Sequence, residues 1–321
     1  MDTRRLHSFV KIVDAGSITR AADILHVAQP ALSQQVSALE AQFKQQLLIR
    51  SKRGVVPTEA GRALYRHAQL ILHQVEQAHA AVGTGGRTPA GRVSVGLAPC
   101  STGAALALPL LRAVRERYPD IVLHLNENSG GVLSEAIMTG RMDMAFIYGS
   151  GPMRGVEFEP MLTEELFLVT APDAAPRDPR AEDARIPEVA LSELAGAELL
   201  LPSPSHTIRQ VMDHALRTAS VEPRVIGEAE STSTLVAAVV EGMGATVLPR
   251  SLARATREAR DVTVRRITGP SIEVTLSLCF SHHQPLSEPA LAVHDVFHEL
   301  IGAFVQTDRQ GDRRTDRTEE P

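Results

Sequence analysis

An α/β protein with a helical head, one long connecting helix and a two-lobed body is the architecture that this sequence predicts. Three observations predict it. The first quarter of the chain spaces its apolar residues by three and four with short breaks between runs. The remainder alternates β-branched runs with helical stretches, and one pattern of the body returns at a fixed offset. At 321 residues the chain exceeds one compact core of usual size, so two or three domains are expected.

Composition excludes several classes. The 43% hydrophobic and 22% charged content is that of a globular protein rather than a disordered or fibrous one. Apolar runs stay below the roughly 18 residues of a membrane span, and the opening MDTRRLHSFV reaches Asp14 before a signal-peptide core can form. A cytoplasmic protein without membrane contact is the expectation. Cys100 and Cys279 are too few for a disulfide framework. Charge is unevenly spread: residues 1–90 hold 11 Lys+Arg against 6 Asp+Glu, and the remaining residues 22 against 32. A basic head on an acidic body points to a polyanion as the partner of the head.

In the head, Leu6, Phe9, Val10 and Val13 mark one helix face, and Ile18, Ala21, Ala22 and Leu25 a second after the break at Ala15-Gly16-Ser17, with Ser17 as its cap. A third helix follows in AQPALSQQVSALE, where Pro30 suits a first turn that has no intrahelical use for its N–H. At about 100° per residue, Leu32, Val36, Leu39 and Phe43 share one sector. Gln29, Ser33, Ser37 and Glu40 share a neighbouring one, with Gln34 beyond. Glutamine can place a donor and an acceptor on adenine N6 and N7, and serine can read either kind of base. Strand-like runs at Leu48-Ile49-Arg50 and Gly54-Val55-Val56 then enclose a basic tip, Ser51-Lys52-Arg53-Gly54, completing a winged helix-turn-helix that reads double-stranded DNA. Beyond Pro57, Thr58 caps a long helix on which Leu64, Ala68, Ile71, Val75, Ala78 and Val82 alternate steps of four and three. This heptad seam asks for a second copy of the helix.

The run from Phe9 through Ala60, with AGSITRAADILHVAQPALSQQVSALE and LLIRSKRGVVPTEAG, resembles the DNA-binding region of LysR-type transcriptional regulators. The resemblance extends over nearly the whole chain, and LHVAQPALSQQV and ENSGGVLSEAI are most similar to the branch that controls nitrogen assimilation. It implies that Gln29, Pro30, Ser33 and Gln34 approach bases, with Ser37 on the same helix. It also implies that Arg53 on the wing reaches the minor groove or phosphates, beside Arg50 and Lys52. Two positions depart from the commonest pattern. Ala28 replaces a capping hydroxyl, and Gln34 replaces a basic residue, shifting its preference from guanine to adenine. The resemblance further implies an interrupted palindromic operator, a homodimer or homotetramer, nucleoid association when bound, and RNA polymerase as a partner if the protein activates.

After the flexible GTGGRTPAG, the body runs VSVGL, a helix from Thr102 to Arg117, IVLHLNE, a helix after Gly131, and MDMAFIY. A second series follows the variable AAPRDPRAEDARIPEV: ELLLP, a helix from Thr207, RVIGEAE, a helix from Thr232, and GATVLP. Ser129, Leu133, Ile137 and Gly140 are matched 102 residues on by Ser231, Leu235, Val239 and Gly242. Duplicated α/β lobes with a cleft between them resemble the periplasmic-binding-protein fold. At strand-to-helix corners stand Ser101, Thr102, Ser129, Gly130, Ser203, Ser205, Ser231 and Thr232, whose helix N-termini favour anions. A small anionic or polar effector is expected there, though capping alone also accounts for each hydroxyl. VTLSLCF and a helix from Ser287 return to the first lobe. The expected domains are therefore 1–57 (head), 58–91 (linker helix and hinge), 92–305 (body: 92–163 with 269–305, and 164–268), and a disordered tail at 306–321.

Catalytic chemistry is not indicated: there is no GxSxG, P-loop or CxxC. His67, His73 and His79 scatter around their helix. The HDVFH of His294 and His298 lacks the HExxH glutamate and shows no third ligand, so no metal or cofactor is expected. Cys100 reads as a packing thiol and Asp143 as a turn acid. The prediction is a DNA-binding regulator, ligand-modulated or constitutive, rather than an enzyme. A transport-type solute-binding protein, which the same lobes would suit, would need a secretion signal and no DNA head.

Overall fold

The computed structural model describes residues 2–51, 54–83, 88–149, 151, 153, 155–172, 186–282 and 284–316. The head consists of α1 (Thr3–Ala15), α2 (Ile18–Leu25), α3 (Gln29–Phe43) and an antiparallel hairpin of β1 (Leu48–Ser51) and β2 (Gly54–Pro57). Leu6, Phe9, Ile12, Leu32, Val36 and Leu39 form its core, so the apolar sectors read from the sequence are the packed ones. Phe43 is the exception. It ends α3 and stays 40% exposed.

Two glycines set the wing. Gly16 leaves α1 in the left-handed region (φ 64°), and its carbonyl accepts the Val55 N–H at 2.8 Å. A Cβ on Gly54, itself at φ 124°, would lie 2.6 Å from that same carbonyl oxygen, so any side chain there pushes the hairpin off α1. Thr58 accepts the Gly61 N–H (3.0 Å) and donates to the Gln46 carbonyl (2.7 Å), capping α4 (Glu59–Gly83) and tying it to the hairpin base.

The body begins with β3 (Gly91–Leu97), α5 (Thr102–Arg117), β4 (Ile121–Glu127), α6 (Gly130–Met138) and β5 (Met144–Tyr148). There follow β6 (Val156–Thr170), β7 (Glu188–Ala190), β8 (Glu198–Leu201), α7 (Thr207–Thr218), β9 (Arg224–Glu228), α8 (Thr232–Val240) and β10 (Thr246–Pro249). The chain then runs through α9 (Arg250–Ala259), β11 (Thr263–Thr268), β12 (Glu273–Ser281) and α10 (Glu288–Asp316). Parallel β4-β3-β5 is continued by antiparallel β12 and β6. β6 belongs to both lobes: Val156–Glu165 pairs with β12, while Leu166–Thr170 pairs with β10 and β11. The sequence reading missed β6, β7, α9 and β11. It also expected a disordered tail from residue 306, whereas α10 continues to Asp316. Its packed part, with Val293, Val296, Phe297 and Ile301 buried, supplies the nucleus, and extension needs no second one. Residues 317–321 lie outside the described residues.

The duplication is physical. Leu133 and Leu235 are buried at matching places, as are Ile137 and Val239, and Gly140 (φ 68°) and Gly242 (φ 72°) end α6 and α8 in the same left-handed turn. The copies then diverge. A Cβ on Gly140 would meet the Leu70 side chain of α4 at 2.2 Å, whereas Gly242 faces open space. Beside Gly140, buried Asp143 accepts the Ser94 N–H (2.8 Å), Gln77 Nε2 (3.1 Å) and His73 Nε2 (3.0 Å). The linker helix is thereby fastened to the first lobe. The matching position in the second lobe is Ala245.

The bond to Asp143 raises the His73 pKa above the ordinary histidine value, against an opposing effect of burial. A raised folded value means that this stabilisation is complete below the unfolded pKa and is lost as pH rises through the folded one. Asp143→Ala, which also strands the Ser94 N–H, should cost about 1–3 kcal/mol. His73→Ala should cost less, with a penalty that shrinks from about pH 6 to pH 8. Urea denaturation across that range checks both; a pH-independent His73→Ala penalty would contradict the linkage.

Candidate functional site

α3 presents its polar sector outward. Gln29, Pro30, Gln34 and Ser37 are exposed, while Ser33 is half-buried and its hydroxyl has no hydrogen-bond partner among the described residues. Ala28 provides no side-chain cap, so the first turn keeps N–H groups free to face outward. Glu40 is not part of this surface, contrary to the sector it shares. Its Oε1 accepts the N–H groups of Leu47 (2.8 Å) and Leu48 (3.2 Å), fixing the end of α3 to β1. Arg50 is exposed on β1. Lys52 and Arg53 lie outside the described residues.

The heptad seam divides in two. Ala68 is fully buried, and Leu64 and Ile71 pack with it on the core of their own head, because α1 lies along this part of α4 and its apolar side needs a cover. These three are therefore used within the chain. Val75 is half-buried, Ala78 exposed and Val82 83% exposed, which leaves the far end of the seam uncovered. A second apolar surface, unmarked by any sequence signal, comprises Leu108 and Leu111 on α5 and Val122 on the edge strand β4.

Between the lobes lies a cleft of about 750 Å³, lined by Ser129, Ser205, Ser231 and Thr232 together with Glu127 and Glu230. Gly130, half-buried, starts α6 beside it. Ser203 Oγ stands 3.0 Å from Ser205 Oγ, and the Ser203 N–H meets Glu230 Oε1 at 3.3 Å. Ser231 caps α8, and Ser129 makes no capping bond. Ser101 and Thr102, expected in the effector site, are instead buried and committed. Ser101 donates to the Ala98 carbonyl (2.6 Å). Thr102 donates to Glu164, to which Ser251 also donates at 2.8 Å. Tyr148 OH lies 2.9 Å from the Cys100 carbonyl and 3.3 Å from Glu164 Oε2. Burial pushes the Glu164 pKa up, against the hydrogen bonds from Thr102, Ser251 and Tyr148.

Contacts close the cleft from lobe to lobe: Thr102 against Ser251 (2.6 Å), Thr232 Oγ1 donating to Cys100 Sγ (3.0 Å), and Cys100 Sγ donating to the Glu230 carbonyl (3.6 Å). Cys100 is buried, and desolvation raises its thiol pKa, as suits a packing cysteine. With Glu127 and Glu230 in its walls, the cleft disfavours the anion that bare helix N-termini suggest. Glu127, Glu164, Glu230 and Ser251 were all missed by sequence reasoning. The glutamates adjoining flagged serines in NENS and EAES were the available signal.

Residues 3–62 match the family "Bacterial regulatory helix-turn-helix protein, lysR family", and residues 86–301 match "LysR substrate binding domain". The chain belongs to the LysR family. This LysR protein is 45% identical to the nitrogen assimilation regulatory protein Nac of Escherichia coli K12, over 97% of this chain and 98% of that one. It is 44% identical to Nac of Klebsiella aerogenes, over 94% and 95%. Its fold matches a full-length OxyR variant of Pseudomonas aeruginosa (TM-score 0.69, 24% identity, 94% of both chains). It also matches full-length CbnR complexed with its target DNA (TM-score 0.63, 25% identity, 93% and 98%). The LysR chain is a DNA-binding transcriptional regulator, neither an enzyme nor a solute-binding protein of transport. Among the described residues no helix is long and apolar enough to cross a membrane.

Because the folded pKa of Glu164 is raised, wild-type stability falls as pH rises through it. Glu164→Gln keeps an oxygen for Thr102 and Ser251 and removes the charge. Its unfolding midpoint should equal or exceed that of wild type at alkaline pH, the advantage narrowing as pH falls. A variant less stable than wild type at alkaline pH, with the deficit closing as pH falls, would show that the carboxylate is needed ionised.

Proposed function

We propose that this protein regulates nitrogen-assimilation genes, reading an interrupted palindromic operator as a homodimer or homotetramer in the cytoplasm, bound to the nucleoid. Residues 1–57 serve as the DNA-binding unit, 58–91 as the dimerising linker and 92–305 as the regulatory body. The observation that carries the reading is the solvent-facing Gln/Ser sector of α3, set opposite a fully packed Leu32/Val36/Leu39 sector. Gln29, Pro30, Ser33, Gln34 and Ser37 meet base edges, and Arg50, Lys52 and Arg53 meet the backbone or minor groove. The nitrogen role rests on near full-length similarity to Nac. RNA polymerase is a partner where the protein activates.

Self-association uses Val75, Ala78 and Val82, supported by the exposure of Ala78 and Val82, with the Leu108/Leu111/Val122 surface as a second contact between copies. An effector, where one acts, is polar or cationic. It sits among Ser129, Gly130, Ser203, Ser205, Ser231 and Thr232 and competes with the bond between Thr232 and Cys100.

Genome-wide binding followed by operator footprinting, with and without candidate metabolites, tests the whole reading; sites unrelated to nitrogen genes would refute the assigned role. Alanine at Gln29, Ser33 or Gln34 should cost about 1–3 kcal/mol on the operator while sparing random duplex. Equal losses on both would sink the base-reading assignment. Ala78→Glu with Val82→Glu should halve the sedimenting mass, since a packed seam tolerates no desolvated charge. Unchanged mass would move the dimer contact off α4.

A further inference from the structure

HDVFH offers only two ligands in sequence, but the fold supplies a third from 135 positions earlier. Glu159 on β6 faces His294 and His298, which stand one turn apart on α10. Glu159 Oε2 lies 3.3 Å from His294 Nε2, Glu159 Oε1 lies 3.1 Å from His298 Nε2, and one donor atom from each of the three residues falls within 4.8 Å of the others. We propose that Glu159, His294 and His298 bind a divalent transition-metal ion of the Zn²⁺ type at the junction of β6 and α10.

Distance is the first support. Tetrahedral Zn²⁺ bonds of about 2.0–2.1 Å place neighbouring ligand atoms about 3.3–3.4 Å apart, close to both carboxylate-to-imidazole separations. The second is an unsatisfied atom: His298 Nε2 is shut off from water, yet its approach to Glu159 lacks hydrogen-bond alignment and it has no other hydrogen-bond partner among the described residues. An unprotonated Nε2 would face the carboxylate with its lone pair, an arrangement that a cation between the two relieves. The third is the tautomer. His294 Nδ1 lies 3.2 Å from Asp295 Oδ1, so Nδ1–H can donate to that carboxylate and leave the Nε2 lone pair aimed at the site. Metal-bound histidines are commonly held this way. The rings sit 4.4 Å apart, and Phe280 packs on His294 at 6.3 Å. Buried Val293, Val296 and Phe297 hold this part of α10 still, and Glu159 sits in a strand paired to β12 at Leu278.

Two imidazoles and one carboxylate suit Zn²⁺ and its neighbours rather than Ca²⁺ or Mg²⁺, which take mostly oxygen ligands. All three residues are half-buried, which leaves the ion a route in from the surface. Bound there, it clamps the terminal helix to the strand that both lobes share, far in sequence from the reading head.

The test uses the full chain, stripped with a chelator and titrated with Zn²⁺ against a chromophoric competitor, with thermal unfolding alongside. Wild type should bind one equivalent per chain and unfold at higher temperature with the metal, and excess Mg²⁺ should not compete. His298→Gln and Glu159→Gln should weaken binding at least about 100-fold, and Asp295→Asn about 10–100-fold, with little change in the metal-free unfolding midpoint. A His67→Gln, His79→Gln double variant on α4 should bind as wild type does. Absence of saturable binding, or equal affinity in His298→Gln and Glu159→Gln to that of wild type, would overturn the proposal. Should those two fail to fold, the exposed Asp295→Asn decides: unchanged affinity there also counts against it.

Discussion

A carboxylate with almost no solvent access has to find donors, and Asp143 finds them in two domains at once. One oxygen holds the Ser94 N–H in β3; the other takes His73 and Gln77 from α4. Because an unpaired buried charge costs several kcal/mol, α4 cannot slide or rotate on the first lobe without losing more than a surface contact. Gly140 reinforces this, since no larger residue would let Leu70 approach so closely. The orientation of the reading head on the body therefore depends on this corner. The second lobe, with Gly242 and Ala245 in the equivalent turn, has neither the acid nor the close contact that grips a helix.

The same economy governs the cleft. Helix N-termini with serines suggest an anion site, but Glu127 and Glu230 occupy the walls. Like charges in a partly desolvated space outweigh the roughly 0.3–1 kcal/mol that a helix end typically contributes. Glu164 itself survives burial because Thr102 and Ser251 direct hydroxyls at it from opposite lobes, so the carboxylate works as a clasp between lobes rather than as a ligand-binding group.

What could be read from the sequence follows a physical rule. Half-buried helices announce themselves: Leu32, Val36 and Leu39 recur at the helical period because one side packs and the other does not, and α5 runs from Thr102 to Arg117 as its pattern implied. β6 did not. Its neighbours change from β12 to β10 and β11 along its length, and a register shift in the β12 pairing interrupts alternation, so VEFEPMLTEELFLVT has no single period. α9 was hidden for a different reason: RSLARATREA is short and largely charged, and its packed face is little more than Leu252 and Ala253. The site residues divide likewise. The exposure of Gln29, Gln34 and Ser37 was legible because it is a local property of one helix. The commitments of Thr102 to Glu164 and of His294 to Glu159 were not, because their partners stand 62 and 135 residues away. The seam on α4 misled for a related reason, since a heptad states that a helix face is covered but not by what. For Leu64, Ala68 and Ile71 the cover is the chain's own α1.

These constraints bear on how a signal could reach DNA. The head, α4 and the first lobe are joined through Asp143, Gly140 and the Leu64–Ile71 packing, so they move as one piece on any path that leaves those contacts intact. A ligand in the cleft would shift the second lobe relative to that piece by competing with Thr232 on Cys100. Within one chain such a motion leaves α3 where it was. A response at the operator must then come from contacts between copies, where the moving lobe of one chain alters the spacing of two rigid head-bearing pieces. Regulation by the cleft and assembly through exposed surfaces are thus a single requirement: a monomer with this architecture could bind a ligand and still be unable to report it.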